Sequence, residues 1–201
     1  MNIFRLACLA FGLSAVAPAC QASVEISSNP THNMNCTDGV CTPTAKNADL
    51  NAIDLANMLA DGDVKVVTGS GAVTITVTQS FSWTSTHRLT LDANLNVSFR
   101  APVVVAGQGA VTITYNDGGT GGDLLFFDGS KLDFWDSSSS LIIQGKHYAL
   151  VKDIATLAKS DALGRLALAN DYDASIDGTY SSSPVTMMFL GTLEGLGHVI
   201  S

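Results

Sequence analysis

The hexapeptide GAVTIT occurs twice without change, at Gly71–Thr76 and at Gly109–Thr114. Internal repetition restricts the fold before any single residue does, because repeated units bury their apolar faces by stacking on one another. The copies lie 38 residues apart, so half the offset is about 19 residues, near the length of one coil in a β-solenoid. Short apolar runs fall between and after the copies: Leu89–Leu91, Val97–Phe99, Val103–Val105, Asp123–Asp128, Lys131–Asp136 and Leu141–Ile143. Each alternates apolar and polar positions and is closed by Gly, Asp, Asn or Ser, the signature of short strands between turns. In VTIT the Val and Ile are expected to point inward and the Thr outward, as ladders.

A sandwich and a solenoid both accommodate many short strands. Hairpin signals are few, Asp128–Gly129 being the best, and the repeated phrase favours stacking of like on like. The fold class expected is therefore all-β, a parallel solenoid over 48–201. Within it Leu50, Ile53, Ala56 and Leu59 recur at helical spacing, with Asp49 near the start and Gly62 past the end. This predicts a capping helix over Ala48–Ala60, covering the first coil's edge. A second short helix is expected near 153–162, with Asp153 as its N-cap, and a strand over Leu166–Asn170 follows it. A further strand is expected over Val185–Leu190. The closing Val199-Ile200-Ser201 reads as a strand without a polar cap, an edge open to self-association through the C-terminal coil.

Residues 1–22 combine Arg5, an apolar stretch from Leu6 to Ala17 and small residues ending in Cys20-Gln21-Ala22, which reads as a secretory signal peptide. Lipidation at Cys20 is the rival reading of the same segment. Residues 23–47 show no sustained period and are expected to be an irregular leading arm, with Cys36 and Cys41 joined in a small disulfide loop. Without the leader, nine basic side chains face eighteen acidic ones. That balance disfavours nucleic acid and anionic membrane surfaces as partners. No later stretch is long and apolar enough to span a bilayer as a helix.

Catalytic and metal-binding patterns are sparse. Asp133 and Asp136 alternate around Phe134 and Trp135, an arrangement suited to turns between coils. The lysines Lys131, Lys146, Lys152 and Lys159 fall in separate elements, and the two glutamates, Glu25 and Glu194, lie near opposite ends. A glycoside-cleaving acid pair or a lyase base is therefore not expected, and no catalytic residue or cofactor is assigned. Asp173, Ser175 and Asp177, followed by Gly178, match half of an EF-hand loop; Pro184 stands where its closing Glu belongs, and Asx turns explain the same residues. His32, His87, His147 and His198 have no partner at ligand spacing and are expected at the surface. Gly118, Gly119, Gly121 and Gly122 read as a turn. Of Phe126, Phe127, Phe134 and Trp135, alternation must send some outward, which would give a contact patch, although stacking in the core is the expected use of the group.

The runs LIIQGKHYALVKDIATLA (141–158), LALANDYDASIDGTY and FLGTLEGLGHVIS resemble the amino-terminal passenger region of filamentous-haemagglutinin-like and autotransporter-like proteins of Gram-negative bacteria. The resemblance implies a right-handed parallel β-helix, export to the cell surface, and attachment to host or neighbouring-cell molecules, glycans among them. Such proteins continue for many more coils, so the chain reads as the truncated start of an adhesin. Two alternatives stand beside this: a parallel β-helix polysaccharide lyase or hydrolase, suggested by the helix followed by ADGDVKVVTG, and an inactive gene fragment.

Overall fold

The computed structural model describes residues 22–70, 72–118, 121–127, 129–160, 163–185 and 189–201. Apart from Ala22, the expected signal peptide and Cys20 lie outside them, as do Asp128 and residues 186–188 of the expected 185–190 strand. The chain is predominantly β. Its first part forms β1 (Ser23–Ser27), the hairpin strands β2 (Met34–Thr37) and β3 (Val40–Pro43), β4 (Ala48–Asn51), helix α1 (Ala52–Asp61) and β5 (Val64–Val67). Nine strands follow: β6 (Thr74–Val77), β7 (Phe81–Trp83), β8 (Arg88–Asp92), β9 (Val97–Phe99), β10 (Val103–Val105), β11 (Ala110–Thr114), β12 (Leu124–Phe126), β13 (Leu132–Phe134) and β14 (Ser140–Ile143). The remainder holds β15 (Lys146–Val151), helix α2 (Ile154–Ala158), β16 (Arg165–Leu168) and β17 (Thr192–Glu194).

Among the described residues these strands make three sheets, ordered β12-β9-β6-β1-β4, β13-β10-β7 and β17-β16-β15-β14-β11-β8-β5-β3-β2. From β6 to β14 the chain visits the three sheets in the same sequence three times, laying each strand parallel on its predecessor. Between the first two passes the stacked partners Ile75 and Val97, Phe81 and Val103, and Leu89 and Val111 are each 22 residues apart. The 19-residue coil expected from the repeated hexapeptide is therefore incorrect. Its first copy contributes to β6 and its second to β11, strands of different sheets that never pair. Alternation makes any such strand fit any inward-facing position, so identical sequence does not require identical place.

The alternation itself holds. Val64, Leu89, Val111 and Leu141 form one inward column, and Val66, Leu91, Ile113 and Ile143 a second. Ile26, Val77, Phe99 and Phe126 line the facing sheet, while Trp83, Val105 and Phe134 come from the third. Each large side chain so buried stabilises the fold by about 1.5–3 kcal/mol relative to exposure. Thr90 and Thr112 stack outward between Lys65 and Ile142, and Lys65 reaches Asp92 at 2.7 Å. Turns must stack as closely as strands do: a Cβ on Gly107 would lie 2.0 Å from the Thr84 carbonyl oxygen one pass below, so no larger residue fits there unshifted.

Residues 23–47 are not an irregular arm. β1 is an internal strand, pairing parallel with both β4 and β6, and the disulfide Cys36–Cys41 ties β2 to β3 across the Asp38–Gly39 turn, whose φ values are +50° and +76°. Five residues, SVEIS, are too few for a period to stand out, yet Val24 and Ile26 are fully buried. The helix also starts later than its spacing predicts. Ala48–Asn51 extends beside β1, and Asn51 rather than Asp49 is the cap, its side chain accepting from the backbone N–H of Ile53 and Asp54. The buried face is Ala52, Leu55 and Leu59, set against β7, β5 and β4, while Ile53 is 70% exposed. Helix α2 starts as expected, with Asp153 accepting from Thr156 N–H at 2.6 Å.

Beyond β14 the direction reverses. Gln144 and Gly145, at φ +51° and +69°, turn the chain into β15, which pairs antiparallel with β14; β16 and β17 then run parallel to β15.

Candidate functional site

The outermost strand of the smallest sheet, β13, has backbone groups on the side facing away from β10, where a further parallel strand would pair. Leu132 N–H donates to the Leu196 carbonyl (3.0 Å), and Phe134 N–H donates to the Ala169 carbonyl (2.8 Å). The Leu132 carbonyl lies 2.9 Å from His198 Nε2. A side-chain N–H thus takes the place of a backbone donor. Leu196 and Ala169 are buried in the main core. Gly197, at φ +83°, permits the crossing, since a Cβ there would meet the Ser130 carbonyl oxygen at 2.2 Å.

The edge of β13 is thus covered by the C-terminal segment; the edge expected to stay open is that of Val199–Ser201 itself, whose Val199 and Ile200 are 62% and 41% exposed. Val199–Ser201 lies parallel beside Tyr172: Tyr172 N–H donates to the Val199 carbonyl, Ser201 N–H to the Tyr172 carbonyl and Ala174 N–H to the Ser201 carbonyl. Reversal at Gln144–Gly145 is what brings this segment back over β13. Nor is His198 a surface histidine, because its side chain is wholly buried. His32 and His147 are exposed, and His87 lies 3.4 Å from Asp63.

Four ionisable side chains meet at this closure. His198 Nδ1 lies 3.2 Å from Asp171 Oδ1 and 3.8 Å from Asp133 Oδ1, while Lys131 Nζ is 2.6 Å from Asp171 Oδ2. Val199 N–H adds a bond to Asp171 Oδ1 at 3.2 Å. The Lys131 hydrogen bond leads the interactions that hold the Asp171 carboxyl down to about 2. Burial pushes Asp133 up, against the pull of His198 and Lys131. Sequence separation hid this group: Asp171 follows Lys131 by 40 residues, and only the reversal brings them together.

This constellation contains types that acid–base chemistry uses, but its imidazole is enclosed and spends both nitrogens on the protein. Its chemistry is that of a clasp. Replacing His198 by Ala is expected to leave the Leu132 carbonyl without its donor, costing about 1–3 kcal/mol. Faster amide exchange at Leu132 and Phe134, with exchange in β6–β11 unchanged, is the expected readout. The acid dependence follows from Asp171. With a folded value of about 2 against an ordinary carboxyl near 3.9, its contribution is complete above the ordinary value and is lost as pH falls toward 2. That acid-induced loosening should be absent from Asp171→Asn.

The other residues singled out in the sequence lie elsewhere. Asp173 accepts from Ser175 N–H at 3.0 Å, opening a turn of 3-10 helix over Ala174–Asp177, and the Asp177 carboxylate accepts from the Tyr180 hydroxyl. These are local turn bonds, and among the described residues no group of three or more His, Cys, Asp or Glu is disposed to hold a metal ion. Asp136 sits in the turn after β13, with Ser138 N–H and Oγ donating to it at 2.8 and 2.7 Å. The aromatic run divides as alternation requires: Phe134 is buried and Phe126 stacks on Phe99 at 4.8 Å, whereas Phe127 and Trp135 are 40% and 68% exposed.

Comparison with protein-family models, with curated proteins and with solved structures finds no match. Among the described residues no helix is long and apolar enough to cross a membrane. The Cys36–Cys41 disulfide suits an oxidising, extracytoplasmic compartment.

Proposed function

We propose that this chain is an exported, non-enzymatic surface module, a right-handed parallel β-helix that begins a haemagglutinin-like or autotransporter-like adhesin and serves attachment. The observation that supports this best is the pairing of β6–β14: three passes in parallel register fill the interior with apolar columns. A stack of this kind leaves its outward side chains, drawn from successive passes, available for recognition. Lys131, Asp133, Asp171 and His198 meet where the C-terminal segment lies over β13. The disulfide and the apolar leader are consistent with export.

The test is made with the whole gene in a Gram-negative host. Surface protease should remove the chain from intact cells, and purified chain should compete with those cells for attachment to epithelial monolayers. Retention in the cytoplasm with Cys36 and Cys41 reduced would refute export. Cleavage of pectin, alginate or glycosaminoglycan that is lost in Asp133→Asn would establish the enzyme alternative instead.

A further inference from the structure

The two tryptophans have opposite fates. Trp83 is 3% exposed in an inward column, whereas Trp135 is 68% exposed at the corner between β13 and β14. Its backbone is fixed from both sides: its N–H donates to the Val105 carbonyl at 3.0 Å, and its carbonyl accepts from Lys152 Nζ at 2.5 Å. An indole left in water forfeits the burial that large aromatic side chains usually contribute. Here the backbone that carries it is held in place by strand β10 below and by a lysine from the end of the reversed strand.

The side chains sharing this corner are polar. Asp136 follows directly, its carboxylate oriented by Ser138 and by the side chain of Gln108, which comes from the equivalent turn one pass earlier. Those bonds also hold the Asp136 carboxyl below its usual range. The corner thus combines one flat apolar ring, carboxylate acceptors, an amide and a hydroxyl.

From this juxtaposition we propose that Trp135, with Asp136 and Gln108, forms a binding site for a neutral oligosaccharide, one sugar ring stacking on the indole while its hydroxyls bond to the carboxylate and amide. A pyranose presents one apolar C–H face of about the indole's size, bordered by hydroxyl groups. A protein interface needs a wider apolar centre of fully desolvated side chains. The acidic surplus of the chain, net −8, opposes sulfated or uronic-acid polymers. This inference rests on the attachment reading and supplies its ligand class.

The purified full chain is titrated by calorimetry and tryptophan fluorescence with cellohexaose, chitohexaose, maltohexaose and mannohexaose, with heparin as the anionic control. At least one neutral probe should bind saturably and change the fluorescence. Trp135→Ala should weaken that binding at least about tenfold, with the thermal midpoint unchanged because the ring is exposed. Trp135→Phe should retain part of it, and Gln108→Ala should reduce it. Absence of saturable binding to every neutral probe, equal binding by Trp135→Ala, or tighter binding of heparin would each overturn the proposal. A chain that reaches the cell surface and supports attachment but binds no probe sinks this inference alone. One that binds a probe yet stays in the cytoplasm sinks the export reading alone.

Discussion

Phe99→Ala is expected to destabilise the protein by about 3–5 kcal/mol, the range for emptying a buried phenylalanine site. Phe99 is 1% exposed, stands between Val77 and Phe126 in its column, and stacks on the Phe126 ring with an interplanar angle of 5°. Neighbours in a stack of fixed strand spacing have little freedom to collapse into the space, so the cavity term adds to the lost transfer energy. Phe127→Ala is the matched control. Its ring is 40% exposed and carries the Arg100 guanidinium 3.9 Å from its centroid, an exposed cation–π contact of about 0.5–1 kcal/mol. Urea denaturation of both variants measures the difference. Equal losses would mean that the inward column does not run through Phe99.

Leu59→Ala should cost about 2–5 kcal/mol, and Ile53→Ala should fall within about 0.5 kcal/mol of wild type. Leu59 is wholly buried, α1 packs on β7, and the Leu59 carbonyl also accepts from the Ser85 hydroxyl, so the helix is anchored by both apolar and polar contacts. Ile53 faces solvent. The comparison tests the helix frame directly, since the spacing Leu50, Ile53, Ala56 and Leu59 would give Ile53 a buried place. Denaturant midpoints at constant slope decide it. A large loss in Ile53→Ala would restore that frame.

The helix shows why such a pattern misleads. Leu50 is buried, as the spacing requires, but as a strand residue beside Ile26; the helical face begins only after Asn51 and is carried by Ala52, Leu55 and Leu59. A sequence window cannot separate two elements that bury their residues against the same core. The disulfide hairpin and the Gln144–Gly145 reversal were legible in principle, each being a two-residue turn ending in glycine between strand-like runs. Asp-Gly and Gln-Gly recur between runs that pair in parallel as well, so the dipeptide alone does not single out the antiparallel turns.

What the sequence alone determined is local. The runs at Leu89, Val97, Val103, Leu124, Leu132 and Leu141 are strands, with alternate residues buried in β8, β10, β13 and β14; Cys36 and Cys41 are joined; and the run Phe126, Phe127, Phe134 and Trp135 sends some of its rings outward. These follow from side-chain alternation and from proximity along the chain, which six or fewer neighbouring residues express. Only the tertiary structure decided which strands stack, with 22 residues between partners of the first two passes and 27 to 30 between those of the next, rather than a constant spacing of about 19, because alternation has period two and leaves open which strand lies above which. It alone placed His198, Asp171 and Lys131 together over β13. That clasp depends on a reversal of direction dozens of residues away, and no interaction local to any of the three residues specifies it.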